Sequence, residues 1–304
     1  MQNSYVRRWY SNILQFFTKW SRHGKQRDKT DIQNLLCWTD IHNLKVNPSK
    51  SQLIIFPGSK ASKLAEASIK IYIKNDLLTP SSCIKSLGVL IDTKLQFREH
   101  VNYLIRNAYF TLKQLYGHRE FLNSKTKIEL FKSVVLSSFN YADTLYNSNI
   151  TSTEKSRIQV VQNSCVRFIC GIRKREHIPG PRESIGWLNM EQMRFLHCAC
   201  LYHKILTNKV PPYLLERINY RCDVHNANTR SKNSLVVPTH FKENYKRSFS
   251  YQIVEVYNKI NIDVKKLNPK KMSLAQALSN NGNWTFVWNS YIRFRSCFFD
   301  NWLL

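Results

Sequence analysis

Apolar positions along this chain follow two regimes, and the change falls near residue 92. Before it, Ile32, Leu35, Leu36 and Trp38 recur at helical spacing and predict a short amphipathic helix. Asn47-Pro48-Ser49 signals a turn. Ser51 to Phe56 then reads as a strand ended by Pro57-Gly58. Ile69, Ile71 and Ile73 alternate with Lys70, Tyr72 and Lys74, which is strand periodicity. Asn75-Asp76 is placed to turn that strand, and Ile84 to Ile91 is a further apolar run broken by Gly88. The block is a helix with a few antiparallel strands.

Beyond Asp92 the period becomes 3.6. Val101, Leu104, Ile105, Ala108, Leu112 and Leu115 form one stripe, with Arg106, Lys113 and Arg119 off it. Ser124 is placed to cap a second helix, whose stripe runs Ile128, Phe131, Val135, Phe139, Ala142 and Leu145. Thr151-x-x-Glu154 is a capping-box pattern for a third helix. Its inward residues are Ile158, Val161, Cys165, Phe168, Ile169 and Ile172, and Gly171 lies near its end. Its polar side carries Arg157, Arg167, Arg173, Lys174 and Arg175. Three such helices with short links predict a small antiparallel bundle. Pro179, Gly180, Pro181 and Gly186 mark residues 176–186 as a linker, and a fourth helix runs roughly from Asn189 to Thr207, before Pro211-Pro212. Past Tyr220 the chain is polar and basic with weak periodicity. Residues 1–30 are a basic, aromatic arm with a weak helical pattern through Ile13, Leu14, Phe17 and Trp20.

Charge changes the picture. The 304 residues hold 46 Lys and Arg against 20 Asp and Glu, a formal net charge of +26. Such a surface repels itself unless a polyanion is near. Nucleic acid is the first candidate, because neutralised phosphates release counterions. An anionic membrane ranks second and acidic proteins third. Codon bias in an AT-rich gene would also favour Lys and Asn, and can coexist with nucleic-acid binding. With 43% hydrophobic residues the chain has enough apolar material for a real core.

The eight cysteines are irregularly spaced without Cys-x-x-Cys, which reads as reduced thiols and a cytoplasmic or nuclear compartment. Residues 1–27 lack acids and carry six Lys or Arg, a composition like a mitochondrial transit peptide; a basic arm is the preferred reading. No apolar run approaches the ~20 residues of a membrane span.

Two-metal polymerases and nucleases bring carboxylates close together to share Mg²⁺. Here the closest acids in sequence are Asp28 and Asp31, and none are adjacent or one residue apart. Tyr141-Ala142-Asp143-Thr144 looks like a polymerase catalytic turn with its last Asp replaced. It continues a helical stripe, so Ala142 is expected to pack and Asp143 to face the helix exterior or cap a neighbour. His197, Cys198, Cys200 and His203, with Cys222 and His225, invite a zinc reading. An apolar helix carrying small thiols is preferred, because His197 and Cys198 point about 100° apart.

The string from Leu35 to Phe56, including Leu44-Lys45-Val46-Asn47-Pro48-Ser49-Lys50-Ser51, resembles the segment after the catalytic turn in jockey-like reverse transcriptases of non-LTR retrotransposons. The resemblance puts Lys50 on that family's lysine near the incoming nucleotide. Lys85-Ser86-Leu87-Gly88-Val89-Leu90-Ile91-Asp92 resembles the primer-grip strand, where Gly88 would let backbone approach the primer closely. Leu95 to Val101 and the next two helices resemble the family's thumb, and Phe139-Asn140-Tyr141-Ala142-Asp143-Thr144-Leu145-Tyr146 matches a thumb-helix signature. Val160-Val161-Gln162-Asn163, Gly171-Ile172-Arg173, Gly186-Trp187-Leu188, Pro211-Pro212-Tyr213-Leu214, Thr229-Arg230-Ser231 and Lys246 to Ser250 continue in the family's order, over about residues 31–260.

The family's Tyr/Phe-Ala-Asp-Asp should precede residue 31, and residues 1–30 hold nothing like it. The resemblance therefore implies a C-terminal fragment of a reverse transcriptase (an RNA-directed DNA polymerase), inactive alone and retaining nucleic-acid binding. The expected fold is α+β. Residues 1–30 form a basic arm, 31–92 a small remnant palm sheet with helices, 93–175 a thumb-like helical bundle, and 176–304 a less regular basic region. The expected partner is an RNA or DNA duplex held through its phosphates, with no membrane. Arg157, Arg167, Arg173, Lys174 and Arg175 supply charge, and Lys50, Leu87 and Gly88 lie near a vestigial primer site. Catalytic residues, metal ligands and cofactors are expected to be absent, Mg²⁺ belonging to the intact family enzyme. The alternative is a transposon-derived protein or interaction module without selected nucleic-acid binding.

Overall fold

The computed structural model describes residues 24–56, 71–73, 75–209, 211–216, 218–224, 232–240 and 243–259. The helical pattern of residues 13–20, Ile69, His225, the Thr229-Arg230-Ser231 segment and Cys297 lie outside them. Among the described residues the fold is α+β, mainly helical with two small antiparallel sheets. The chain divides into two compact units, Met1–His100 and Val101–Leu304.

In the first unit, helix α1 spans Gly24–Ile41. Ile32, Leu35 and Leu36 are half-buried, but Thr39, not Trp38, completes that face. Trp38 is 37% exposed and stacks on His42 with ring centroids 4.2 Å apart. Asn43 ends the helix at a positive φ of 54°, and Leu44 N–H donates to the Thr39 carbonyl at 2.8 Å, a C-terminal cap that Asn tolerates. A single 3₁₀ turn, Pro48–Lys50, comes next, with the Asn47 Oδ1 accepting from Ser49 N at 3.0 Å.

The strand expected over Ser51–Phe56 is reduced to one parallel bridge, Leu53 to Pro80. Strands β1 (Ile71–Ile73) and β2 (Asp76–Leu78) pair antiparallel, with Ile73 opposite Asp76. Asp76 is thus in a strand, not in the turn. Strands β3 (Cys83–Ser86) and β4 (Val89–Asp92) pair from Cys83–Asp92 to Ser86–Val89. Leu87 and Gly88 are the two-residue connection, with φ of 47° and 85°. Two positive φ values match the twist of a tight hairpin. The expected primer-grip strand is therefore a hairpin with these two residues at its tip. Asp92 then organises the exit, its Oδ1 accepting from Phe97 N at 2.7 Å and its Oδ2 from Gln96 N at 3.1 Å.

Helix α2 (Arg98–Tyr116) begins within the first unit and carries the second unit's first stripe. Val101, Leu104, Ile105, Ala108 and Leu112 are buried as their spacing predicts, and Leu115 is half-buried. Each large apolar side chain so buried contributes about 1.5–3 kcal/mol. The second predicted helix is not continuous. Helix α3 (Ser124–Leu130) is capped by Asn123 rather than Ser124, the Asn123 Oδ1 accepting from Thr126 N at 2.8 Å. A π-helical stretch, Phe131–Leu136, and helix α4 (Ser137–Asn140) come after it. The chain breaks at Tyr141-Ala142, and helix α5 (Asp143–Tyr146) restarts. Phe131, Val135 and Phe139 are buried on the predicted stripe, but Leu145 is 53% exposed because the break rotates α5 relative to that stripe.

Helix α6 (Ser152–Cys170) starts at the predicted capping box. Thr151 N donates to Glu154 Oε2 at 2.8 Å and Glu154 N to Thr151 Oγ1 at 3.3 Å. It stops at Gly171 (φ 75°). The expected linker contains helix α7 (Pro179–Ser184), flanked by buried Ile178, Trp187 and Leu188. Helix α8 (Met190–Asn208) matches the fourth predicted helix and is capped by Asn189. Gln162, fully buried, donates to the Leu188 carbonyl at 2.8 Å, and Gln159 Oε1 accepts from Met190 N at 2.9 Å. These amides tie α6 to the start of α8.

Two short helices, α9 (Pro212–Leu215) and α10 (Arg221–Val224), precede α11 (Phe249–Lys259), which the weak periodicity past Tyr220 does not predict. Ile253, Val254, Val256 and Tyr257 of α11 share a core with Cys198, Ala199, Tyr202, Ile205 and Leu206 of α8 and with Leu235. The Asn258 side chain satisfies both backbone groups of Leu235, accepting from its N–H at 2.9 Å and donating to its carbonyl at 3.1 Å.

Candidate nucleic-acid interface

The basic residues singled out in the sequence fall in both units. In the first, Lys50 is exposed at the end of the 3₁₀ turn, and Leu87, 52% exposed, sits with Gly88 at the β3–β4 tip. In the second, the five predicted cations do not share one helix face. Arg157 and Arg167 are on α6, ten residues and so about 15 Å of helix axis apart. Arg157 is exposed and donates to Asn102 Oδ1 at 2.8 Å. Arg167 is half-buried, and its Nε has no hydrogen-bond partner.

Arg173, Lys174 and Arg175 lie beyond α6, because Gly171 takes the left-handed conformation and ends the helix earlier than the apolar stripe through Ile172 implies. Glu176 N donates to the Arg173 carbonyl at 3.2 Å. That bond closes a turn with Lys174 and Arg175 at its two central positions. All three cations are exposed, while Ile178, just past the turn, is buried and anchors the returning chain.

Arg119, which the sequence places off the α2 stripe with no evident role, supports this corner. Its Nε donates to the Phe168 carbonyl, in the last turn of α6, at 3.1 Å. Its guanidinium lies 5.7 Å from the Phe168 ring centroid and 5.9 Å from that of Tyr116. A cation at a helix C-terminus satisfies a free carbonyl and complements the helix dipole. A Cβ added to Gly171 would meet Arg119 Nη2 at 3.2 Å, so that glycine is constrained by both φ and space. A cation in the loop after a helical stripe is the only sequence signal for Arg119.

Asp143 is the clearest correction. The helical stripe puts it on the exterior or capping a neighbour; it is 2% exposed and its Oδ2 lies 2.6 Å from His197 Nδ1. The left-handed Ala142 (φ 53°) swings it inward, and the Tyr146 hydroxyl donates to the Phe139 carbonyl across the break at 2.7 Å. Arg194, 1% exposed, is held in the field of Tyr146 and Asp143, and burial lowers its pKa. Burial, with Asp143 adding to it, pushes the Tyr146 phenol upward, so it remains a donor. This is a buried polar cluster joining α5 to α8, with a single carboxylate.

Cys165 and Cys198 are equally committed to packing. Burial pushes Cys165 up to about 12 and Cys198 up to about 11, far from thiolate chemistry near neutral pH. Among the described residues no three His, Cys, Asp or Glu side chains gather where a metal ion would need them. The described residues therefore bring together no donor set of the kind Mg²⁺ takes in polymerases. Among the same residues no helix is long and apolar enough to cross a membrane.

Comparison with known proteins adds two relatives, both from Drosophila melanogaster. The probable RNA-directed DNA polymerase from transposon X-element is 26% identical over 137 residues, covering 44% of this chain and 14% of that protein. The probable RNA-directed DNA polymerase from transposon BS is 30% identical over 143 residues, covering 45% of this chain and 15% of that protein. The match thus spans about one seventh of the length of these curated relatives. No family model matches the chain, and no solved structure does. The resemblance to retrotransposon reverse transcriptases holds, and the chain is related to transposon RNA-directed DNA polymerases.

Proposed function

We propose that this relative of transposon RNA-directed DNA polymerases binds an RNA or DNA duplex through its phosphates and has no phosphoryl-transfer centre among its own residues. The observation that carries the reading is the turn beyond α6. Arg173, Lys174 and Arg175 stand exposed on a closed turn, fixed at one end by Gly171 and at the other by buried Ile178. A basic turn already closed by its own hydrogen bond meets a phosphate backbone at less ordering cost than an open chain. Arg157 and Arg167 extend the charge along α6. In the first unit, Lys50 and the Leu87-Gly88 tip add contacts of their own. Contacts of this kind position a duplex without reading its sequence.

The acids support the second half. None of the 20 in the chain is adjacent to another or one residue away, and Asp143 is bound to His197 in the core. The function takes no step through Mg²⁺.

The test is a duplex-binding titration across salt with the triple variant Arg173→Gln, Lys174→Gln, Arg175→Gln. Each lost phosphate contact lowers the slope of log K against log salt by about 0.9. Three lost contacts lower it by about 2.7 and weaken binding roughly a hundredfold at physiological salt. Unchanged slope and affinity would remove the turn from the interface. Primer extension by the wild-type chain above a no-protein control would overturn the absence of a catalytic centre.

A further inference from the structure

The side of α2 turned away from the core carries a repeat that the duplex-binding reading does not use. Tyr103 is followed at three and four residues by Arg106 and Asn107. Phe110 is followed at the same distances by Lys113 and Gln114. Positions seven apart lie nearly above one another on a helix, about 10 Å apart along the axis. Phe110 points about half a turn from Val101, which is fully buried. Tyr103 is 38% exposed and Phe110 62% exposed, and Arg106, Asn107, Lys113 and Gln114 are all exposed. Tyr109, 42% exposed, flanks the row. No acid occurs between Glu99 and Glu120.

The composition of this face selects its occupant. Surfaces that bury against protein are depleted in Lys. Here each exposed ring of the row has a cation one helical turn away, and among the described residues the large apolar side chains that this side of α2 exposes are rings. Rings that offer a π-face, with cations spaced to meet the connecting phosphates, are the elements of a platform for unpaired bases. Duplex bases are already stacked and give such rings nothing to hold.

We infer that the Tyr103–Phe110 face of α2 binds single-stranded nucleic acid, with a base stacked on Phe110 and phosphates held by Arg106 and Lys113. This rests on the chain being a nucleic-acid binder, and it adds a second kind of site to the basic turn beyond α6.

The experiment compares two labelled single strands of equal length on the full chain, one with bases and one abasic. Both carry the same phosphates. The wild type is expected to bind the base-bearing strand roughly tenfold more tightly. Phe110→Leu, which keeps an apolar side chain and loses the ring, is expected to abolish that ratio and leave abasic binding and the salt slope unchanged. An Arg106→Gln, Lys113→Gln variant is expected to weaken both strands alike. Equal binding of the two strands by the wild type overturns the inference. So does a Phe110→Leu variant that keeps the ratio, or one that only converts a self-associated chain to monomer. Duplex binding in the same titration reads the basic turn separately: its loss along with both single strands would sink the parent reading, and its survival would confine the failure to α2.

Discussion

Replacing Asp143 with alanine is expected to destabilise the second unit rather than to alter chemistry. The carboxylate is 2% exposed, lies 2.6 Å from His197 Nδ1, and contributes its charge to the site of Arg194, itself 1% exposed. Two Arg194 nitrogens, Nε and Nη2, have no hydrogen-bond partner, and the Glu191 carboxylate also contributes its charge to the site. Removing one member of such a buried group costs about 3–5 kcal/mol. A domain of this size loses about 2–4 °C in melting temperature per kcal/mol, so the expected drop is roughly 10 °C. Asp143→Asn keeps the shape and a hydrogen-bonding group but loses the charge, and should fall between alanine and wild type. Circular-dichroism melts of the full chain at neutral pH read all three. An Asp143→Ala chain melting within about 1 °C of wild type, against a cost of that size, would refute the reasoning about the cluster. The opposite pattern, an Asp143→Asn chain that folds normally while a measured polymerase activity disappears, would return the Tyr141–Thr144 segment to catalysis.

Two more expectations concern packing elsewhere in the chain. Arg119→Met keeps the stem against Tyr116 and Phe168 but loses the bond to the Phe168 carbonyl, and should cost about 2 kcal/mol in urea denaturation; no change would mean the cap is not formed. Burial holds His100 down at about 4 from its usual 6.5. Because the folded value is the lower one, the unfolded chain takes up the proton first as pH falls. The contribution to stability is full above about 6.5 and is lost between there and about 4. Over that range the wild type should lose stability more steeply than His100→Phe, read by melts at each pH; identical profiles for both would exclude the histidine.

What the sequence made legible is what repeats. The α2 stripe is spaced so regularly that Val101 through Leu112 are buried as expected, and Thr151-x-x-Glu154 with Gly171 marks both ends of α6. The misses have local causes. Ala142 takes a left-handed conformation that alanine does not advertise, so a helix break looks like a continuing stripe and Asp143 reads as an outward residue. The β3–β4 tip is hidden because Leu87, an apolar residue, fills a position usually held by Asn or Gly. Helix α11 escapes notice because its apolar face is one short patch whose partners, on α8, lie some fifty residues away in sequence. Of the expected binding residues, Arg173, Lys174 and Arg175 do group together, but on a turn and not on the helix. Arg119 gives no sign of its role because its partner carbonyl is 49 residues distant.

The central claim is that folded geometry, and not net charge alone, makes this chain a nucleic-acid binder. The direct measurement is duplex affinity from low to physiological salt for the folded chain beside a scrambled chain of the same composition and the same +26 charge. The expected result is tighter binding by the folded chain at physiological salt, with a steep slope that the basic-turn variant reduces. Equal affinity and equal slope for the two chains would contradict it.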